Sequence, residues 1–110
     1  MLRATIVITA LLGFAASAFA DSIDGDWCNT KDERLTISGP QITLPSGKPL
    51  TGQYRRHEFA YQVPSGEPNA GQIIYMQLYD EYDMTSYVIE NQKPVNPVSW
   101  TRCPTQPKTS

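Results

Sequence analysis

Apolar and aromatic residues recur at every second position in two stretches of the chain, residues 59–63 and 73–79. β-Branched and aromatic side chains dominate both stretches, and a period of two is typical of strands with one buried face. We therefore predict two long, adjacent strands. In the second, Ile74, Met76 and Leu78 are expected to face the core, which turns three other residues outward: Ile73, Tyr75 and Tyr79.

Clusters of Pro, Gly, Ser and Asn separate the apolar stretches, at residues 38–40, 45–49 and 64–71. Proline fixes φ and glycine permits positive φ, so these clusters predict turns or loops. Further short strands are expected at 35–37, 41–44, 83–90 and 98–103, with a tight acidic turn at 80–82 and a loop at 91–97. Because no helical apolar stripe follows the first twenty residues, the pattern predicts an all-β antiparallel meander, either a small barrel or a two-sheet sandwich.

Residues 1–20 have a different composition from the rest of the chain. One basic residue, Arg3, precedes an apolar run that ends in the small-residue pattern Ala-Phe-Ala at Ala20. This order is typical of a secretory signal peptide, and the run is too short for a membrane span. We therefore predict cleavage after Ala20, a single β domain at 21–103, a disordered tail at 104–110, and a periplasmic or secreted protein without a stable membrane anchor.

The two cysteines, Cys28 and Cys103, lie near the two ends of the predicted mature chain. An even number of cysteines in an exported protein predicts a disulfide. Trp27 precedes Cys28 directly and Trp100 lies three residues before Cys103, so in regular strands each indole points to the face opposite the sulfur. A disulfide would then join the first strand to the last and place both indoles, as structural residues, on a shared inner face.

Gly25, Asp26 and Trp27 form a G-x-W pattern in the first predicted strand, and Arg102 lies in the last. In this respect the chain resembles the calycin superfamily of lipocalin-like and avidin-like barrels. The resemblance implies that Arg102 crosses Trp27 at a closed end of the barrel, with a cation–π contact worth on the order of 1 kcal/mol. Gly25, Trp27 and Arg102 would then be structural. The resemblance also implies an alternative function, the binding of a small molecule at the barrel mouth.

A more distant similarity is to small exported bacterial barrels that inhibit lysozyme, which share the size and the disulfide. A short Ser-Gly-rich motif in a loop is expected to block the enzyme in such proteins. The nearest segments in this chain are residues 46–48 and 65–67. This similarity implies the inhibition of a hydrolase.

Few side chains are suited to enzyme chemistry. His57 is the single histidine, and it precedes a predicted strand in which adjacent side chains point to opposite faces. Asp80 and Asp83 flank a hairpin turn, which does not provide the cleft that a glycosidase needs. The chain has no phosphate-binding glycine loop or nucleophile elbow, and paired cysteines with one histidine leave too few ligands for zinc. We therefore predict no catalytic residues, no cofactor and no metal site.

The formal net charge is −2 and there is no basic stripe, which disfavours nucleic-acid binding. Outward tyrosines beside an acidic turn combine aromatic anchors with charge, a chemistry enriched at protein interfaces. The predicted binding surface consists of Tyr75, Tyr79, Asp80, Glu81, Tyr82 and Asp83 with Arg55, Arg56 and His57. Alternatively, the rings only cover the outside of the barrel. The predicted function is non-enzymatic docking on an envelope protein, either the extracytoplasmic domain of a membrane sensor or a hydrolase that is inhibited.

Overall fold

The computed structural model describes residues 22–104. The predicted signal peptide and most of the predicted tail lie outside the described residues. The regular structure in the described range is entirely β: β1 (Gly25–Cys28), β2 (Arg34–Ser38), β3 (Gln41–Thr43), β4 (Pro49–Thr51), β5 (Gln53–Arg55), β6 (Glu58–Gln62), β7 (Ile73–Leu78), β8 (Asp83–Glu90) and β9 (Lys93–Arg102). All paired neighbours are antiparallel, which confirms the predicted fold class.

The nine strands form one sheet in the order β4-β3-β2-β1-β9-β8-β7-β6-β5. The first strand, β1, lies in the middle of the sheet; the following strands run to one edge at β4, continue at the opposite edge with β5, and return to the middle with β9. β4 and β5 are not hydrogen-bonded neighbours, so the sheet is not closed. This topology fits an open barrel or a sandwich, and we call it the open barrel below.

Gly52 is the single residue between the two edge strands. Its N–H donates to the carbonyl oxygen of Pro40 at 2.8 Å. A Cβ atom at this position would lie 2.5 Å from the carbonyl oxygen of Ala60 and 2.6 Å from the Phe59 ring. Glycine therefore lets the backbone approach both halves of the sheet closely and continue from β4 into β5.

The core lies inside the open barrel and draws side chains from both halves of the sheet. Its buried members are Ile23, Trp27, Leu35, Ile37, Ile42, Leu44, Phe59, Met76, Met84 and Trp100. In β7, Met76 is buried while Ile74 and Leu78 pack against the core, as the alternation predicts. Ile73 and Tyr79 face outward, with 40% and 66% of their surface exposed.

The disulfide between Cys28 and Cys103 is present as predicted, with the two Cα atoms 5.0 Å apart. In the described chain, β1 pairs with β9 at only two positions. We call this short pairing the β1–β9 seam, and the disulfide links its two strands covalently. Trp27 and Trp100 are both buried on the opposite, inner face. In the chain-entropy description, closing so long a loop stabilises the fold by about 4.5 kcal/mol.

The predicted loop at residues 91–97 is wrong, because β9 already covers most of it and only residues 91–92 form the turn. Pro94 and Pro97 indicate a loop in the sequence. Proline is nevertheless tolerated at bulges and in strands that lack a partner on one side. The β8–β9 pairing contains an irregularity, and the other side of β9 pairs with β1 only from Thr101 onward. The prolines therefore lie where they interrupt little of the hydrogen-bonded ladder.

Candidate functional site

The two ends of the open barrel are formed by different turns. The end that we call closed holds the segment at 22–24, which leads into β1, and the turns at 39–40, 56–57 and 79–82. The end that we call the mouth holds the turns at 29–33, 44–48, 63–72 and 91–92. The predicted binding residues lie mainly at the closed end, and a cavity that the sequence does not reveal opens at the mouth.

Arg102 crosses the closed end from the last strand. Its Cζ atom lies 4.1 Å from the centroid of the Trp27 ring, the contact that the calycin resemblance implies. Its guanidinium nitrogens donate to three backbone carbonyls, those of Ser22 at 2.8 Å, Asp24 at 2.5 Å and Glu81 at 2.7 Å. Arg102 therefore ties the segment at 22–24 and the acidic turn to the core.

Gly25 is required by this arrangement. Its φ is +128°, in a region that favours glycine, and a Cβ atom would lie 2.6 Å from Nη1 of Arg102. The indole Nε1 of Trp27 donates to the carbonyl oxygen of Ile23 at 2.9 Å. The G-x-W segment and Arg102 thus form a structural unit.

Asp24 is the acceptor of a hydrogen-bond network at the same end. Its carboxylate accepts from the Gly39 N–H at 2.6 Å, the Tyr54 hydroxyl at 2.5 Å and Ser22 Oγ at 2.9 Å. Burial alone raises the pKa of Asp24, but these hydrogen bonds outweigh it and lower the pKa below its ordinary value. The bond to Asp24 raises the pKa of the Tyr54 hydroxyl. The polar groups of this network are therefore well partnered within the protein.

The acidic turn after β7 stands beside this structural unit and is exposed. Tyr79 and Tyr82 expose 66% and 65% of their surface. Oδ1 of Asp80 accepts from the backbone N–H of Tyr82 at 2.9 Å and of Asp83 at 3.0 Å, so the turn is internally braced. The bond from Arg102 to the Glu81 carbonyl braces it from below.

The basic turn between β5 and β6 lies next to the acidic turn. The backbone N–H of Leu78 donates to the His57 carbonyl at 2.9 Å. His57 lines a shallow groove of about 340 Å³ together with Leu78, Tyr79, Asp80 and Glu81. Arg55 and Arg56 are also exposed at this end. The structure therefore brings together two predicted clusters that are far apart in sequence.

Tyr75 lies on the outer wall of the barrel, away from these turns. It is half-buried and stacks on Tyr87, with the ring centroids 6.2 Å apart. A hydrogen bond with Tyr79 raises the pKa of the Tyr87 hydroxyl. The three tyrosines form a continuous outer strip, in which Tyr75 and Tyr87 partly cover the wall and Tyr79 is the exposed member.

The mouth contains a cavity of about 240 Å³. Most of its wall is apolar and comes from residues of β2, β6, β7, β8 and β9 together with the adjoining turns. The lining residues are Glu33, Leu35, Leu44, Pro45, Tyr61, Val63, Glu67, Pro68, Asn69, Ile74, Met76, Ser86, Tyr87, Val88, Asn96, Val98 and Trp100. The apolar alternation in β6 and β7 predicts from the sequence which side chains face the interior, but it does not distinguish a filled interior from a hollow one.

Two residues that line this cavity, Ser86 and Tyr61, have hydroxyl groups that are incompletely satisfied within residues 22–104. Ser86 is buried, and its Oγ accepts from the indole Nε1 of Trp100 at 3.0 Å but donates to no described residue. The Tyr61 hydroxyl makes no hydrogen bond to the described part of the chain. Burial and the nearby charge of Glu67 raise the pKa of Tyr61 to about 12, so this hydroxyl stays protonated at neutral pH.

A second opening lies in the wall, where β1 and β9 separate towards the mouth. It encloses about 470 Å³ between the turn at 29–33 and the segment at 97–100. Glu33, Val98 and Trp100 line both this opening and the mouth cavity. The cavity is therefore accessible from the end of the barrel and from its side.

The described residues contain no group of three or more His, Cys, Asp or Glu side chains that could hold a metal ion. Within the same range, no helix is long and apolar enough to cross a membrane. His57, Asp80 and Asp83 lie at turns of the closed end, where His57 and Asp80 share one exposed groove.

No family model, curated protein or solved structure matches this chain. The calycin and lysozyme-inhibitor similarities therefore stay predictions, although the implied contact between Trp27 and Arg102 is present. The functional argument rests on the geometry of the two ends.

Proposed function

We propose that the chain is an exported, non-enzymatic protein that docks on another envelope protein through its closed end. The docking surface consists of Tyr79, Asp80, Glu81, Tyr82 and Asp83 with Arg55, Arg56 and His57, and we call it the closed-end face. The observation that carries the proposal is the high exposure of Tyr79 and Tyr82, which flank the acidic turn.

Exposed tyrosines on a braced turn fit the requirements of a protein interface. A tyrosine ring contributes a large contact area with few rotatable bonds, and tyrosine is enriched among residues that dominate binding energy. Asp80 and Arg102 hold the turn through backbone hydrogen bonds, so little conformational entropy remains to be lost on docking. Acidic and basic groups at one face favour a partner with complementary charges.

The proposed location follows from the leader-like first twenty residues and the disulfide. A disulfide is compatible with an oxidising compartment outside the cytoplasm. In that compartment, the proposed partner is either the extracytoplasmic domain of a membrane sensor, which would be regulated, or a hydrolase, which would be inhibited. A rigid domain with exposed aromatic anchors suits both partners.

The test is affinity capture with the mature protein, using the double variant Tyr79→Ala/Tyr82→Ala and the control Ile73→Ala. Ile73 is also exposed on β7, but it lies towards the mouth. We expect a partner that binds the wild type and Ile73→Ala alike and binds the double variant at least tenfold more weakly, as measured by calorimetry with the purified partner. Equal affinity of all three proteins would contradict the proposal.

A second candidate function is the binding of a small molecule at the mouth. One specific observation favours it, the cavity of about 240 Å³ with two incompletely satisfied hydroxyls. A thermal-shift screen with lipids, haem, sugars and small ring compounds tests this function in general. A flat response across all classes would exclude it while leaving the docking proposal intact.

A further inference from the structure

We infer that the mouth cavity binds a small, uncharged ring compound that carries an oxygen acceptor, held by hydrogen bonds from the hydroxyls of Ser86 and Tyr61. This inference rests on the second candidate function and names its ligand class. It is carried by the size of the cavity, by the placement of its two hydroxyls and by the sign of the charges around it.

The cavity volume limits the size of the ligand. At about 240 Å³ the cavity is larger than the roughly 150 Å³ engineered cavity known to bind one benzene molecule. It is smaller than the roughly 300 Å³ at which sites for drug-sized molecules begin. One substituted ring or two fused rings therefore fit within this cavity alone.

The position of Ser86 defines a hydrogen-bond donor in the cavity. Val98 pairs with Ser86 across β8 and β9, and both residues line the cavity. The Ser86 oxygen already accepts from Trp100, which directs its hydrogen away from the indole. A buried hydroxyl whose hydrogen finds no acceptor destabilises the folded protein, and a ligand oxygen that accepts this hydrogen would remove the penalty.

Tyr61 supplies a second donor from β6, which is separated from Ser86 in β8 by one strand of the same sheet. Its hydroxyl makes no hydrogen bond within residues 22–104, and its raised pKa keeps it protonated. Ile74 pairs with Tyr61 on one side and with Val88 on the other, so the ring belongs to an apolar wall. Two donors in apolar surroundings favour a carbonyl or ring-oxygen acceptor.

The charged residues that line the cavity are Glu33 and Glu67, and both are acidic. Glu67 accepts from Ser46 Oγ at 2.7 Å, and Glu33 accepts from the side-chain amide of Asn29 at 2.8 Å. These bonds hold the two carboxylates near the opening without neutralising them. A carboxylate or phosphate ligand would be repelled there, so the ligand class is neutral.

The test uses three probes of similar shape: coumarin, naphthalene and naphthalene-2-carboxylate. Coumarin is neutral and has a carbonyl acceptor, naphthalene has no acceptor, and the third probe is an anion. We expect calorimetry on the oxidised mature protein to show that coumarin binds most tightly, naphthalene less tightly and naphthalene-2-carboxylate most weakly. The dissociation constant should rise at least fivefold at each step. The outer-face variant Ile73→Ala serves as the control and should bind all three as the wild type does.

Three variants locate the site. Tyr61→Phe removes one hydroxyl and keeps the ring, so it should weaken coumarin five- to tenfold and leave naphthalene unchanged, as the loss of one hydrogen bond predicts. Ser86→Ala should act in the same direction. Val98→Trp places a large side chain beside Ser86 and should abolish the binding of both neutral probes. Near-ultraviolet circular dichroism checks that each variant is folded.

The outcomes separate two kinds of failure. If none of the probes binds, this inference is overturned, while the second candidate function is decided separately by the wider thermal-shift screen. If naphthalene binds as tightly as coumarin, or if Tyr61→Phe binds coumarin unchanged, the cavity holds ligands but the inferred ligand class is wrong. Binding of coumarin that survives Val98→Trp would place the ligand elsewhere and overturn the inference.

Discussion

The closed end and the mouth of the open barrel contain similar side chains in different hydrogen-bonding situations. At the closed end, the Tyr54 hydroxyl is bonded to Asp24, and Arg102 is bonded to three carbonyls. At the mouth, the Tyr61 hydroxyl has no partner in the described chain, and Ser86 uses only its acceptor. Both ends belong to the same sheet, so the difference does not come from the fold class.

This comparison separates structural from functional polar groups. Folded proteins satisfy nearly all buried polar groups, and an unsatisfied group requires an explanation such as a water molecule or a ligand. Polar groups at the closed end stabilise the fold by holding the segment at 22–24 over the core. At the mouth, by contrast, the Tyr61 hydroxyl has no partner within residues 22–104, and Ser86 accepts from Trp100 but donates to no described residue.

The largest effect is expected at the seam that joins β1 to β9. In the double variant Cys28→Ser/Cys103→Ser, the free energy of unfolding should fall by about 4 kcal/mol, because the unfolded chain is no longer constrained. Urea denaturation measures this change. Wild-type protein treated with a reductant should match the variant, and equal stability of oxidised and reduced protein would show that the seam needs no covalent support.

A smaller loss is expected for Arg102→Ala. The substitution removes the cation–π contact with Trp27 and leaves three carbonyl oxygens without their donor, which should lower the free energy of unfolding by about 3 kcal/mol. Arg102→Lys should lose less, since a lysine keeps the charge but not the planar fork. A loss below about 1 kcal/mol in urea denaturation would contradict a structural role for the closed end.

Asp24 makes the closed end sensitive to acid. Asp24→Asn should lower the free energy of unfolding by about 2 kcal/mol at pH 7, through lost hydrogen bonds to a charged group. Because the pKa of Asp24 is lowered in the folded state, its contribution is present above the ordinary pKa of about 3.9 and disappears as the pH falls through the folded value. Denaturation curves from pH 7 to pH 2 should therefore begin to converge for wild type and variant below about pH 4 and should coincide once the pH is below the lowered pKa of Asp24.

Asp26 provides the control for that titration. A hydrogen bond from Thr36 and the ion pair with Arg34 lower its pKa despite partial burial, but it lies outside the Asp24 network. Asp26→Asn should leave the pH dependence of the Asp24 contribution in place. If the wild-type and Asp24→Asn curves no longer converge once Asp26→Asn is introduced into both proteins, the acid sensitivity belongs to Asp26 and not to Asp24.

The smallest effect is expected for the removal of one tyrosine hydroxyl at each end of the barrel. Tyr54→Phe removes a hydroxyl bonded to a carboxylate and should cost about 1.5 kcal/mol. Tyr61→Phe removes a hydroxyl without a protein partner and should change stability by less than about 0.5 kcal/mol. Thermal unfolding of the two variants measures the difference, and equal destabilisation would remove the distinction between the ends.

Local patterns in the sequence predicted the long strands well. β6, β7 and β8 lie close to the expected positions, because period-two alternation and turn residues act over a few positions. β4 and β5 have three residues each, which is too short for alternation to show. Pro94 and Pro97 led to the prediction of a loop where the first half of β9 lies, since the sequence does not reveal that this part of the strand lacks a neighbour on one side.

The predicted binding residues show the same division between local and tertiary information. Composition and alternation identified exposed tyrosines beside an acidic turn, and Tyr79 and Tyr82 are indeed exposed. Only the folded chain places His57 in the same groove as Asp80, because the two turns meet through a backbone bond from Leu78. The sequence contains no signal for the mouth cavity beyond the inward residues that also build a filled core.

By itself, the sequence determined that the chain is an antiparallel all-β domain with a disulfide between its first and last strands, because strand alternation, turn chemistry and cysteine count are local or compositional properties. The tertiary structure alone decided which hydroxyls are satisfied and where the interior is hollow. Those properties depend on which side chains from distant strands meet at each end of the sheet, and residues such as Tyr54 and Tyr61 differ only in that respect.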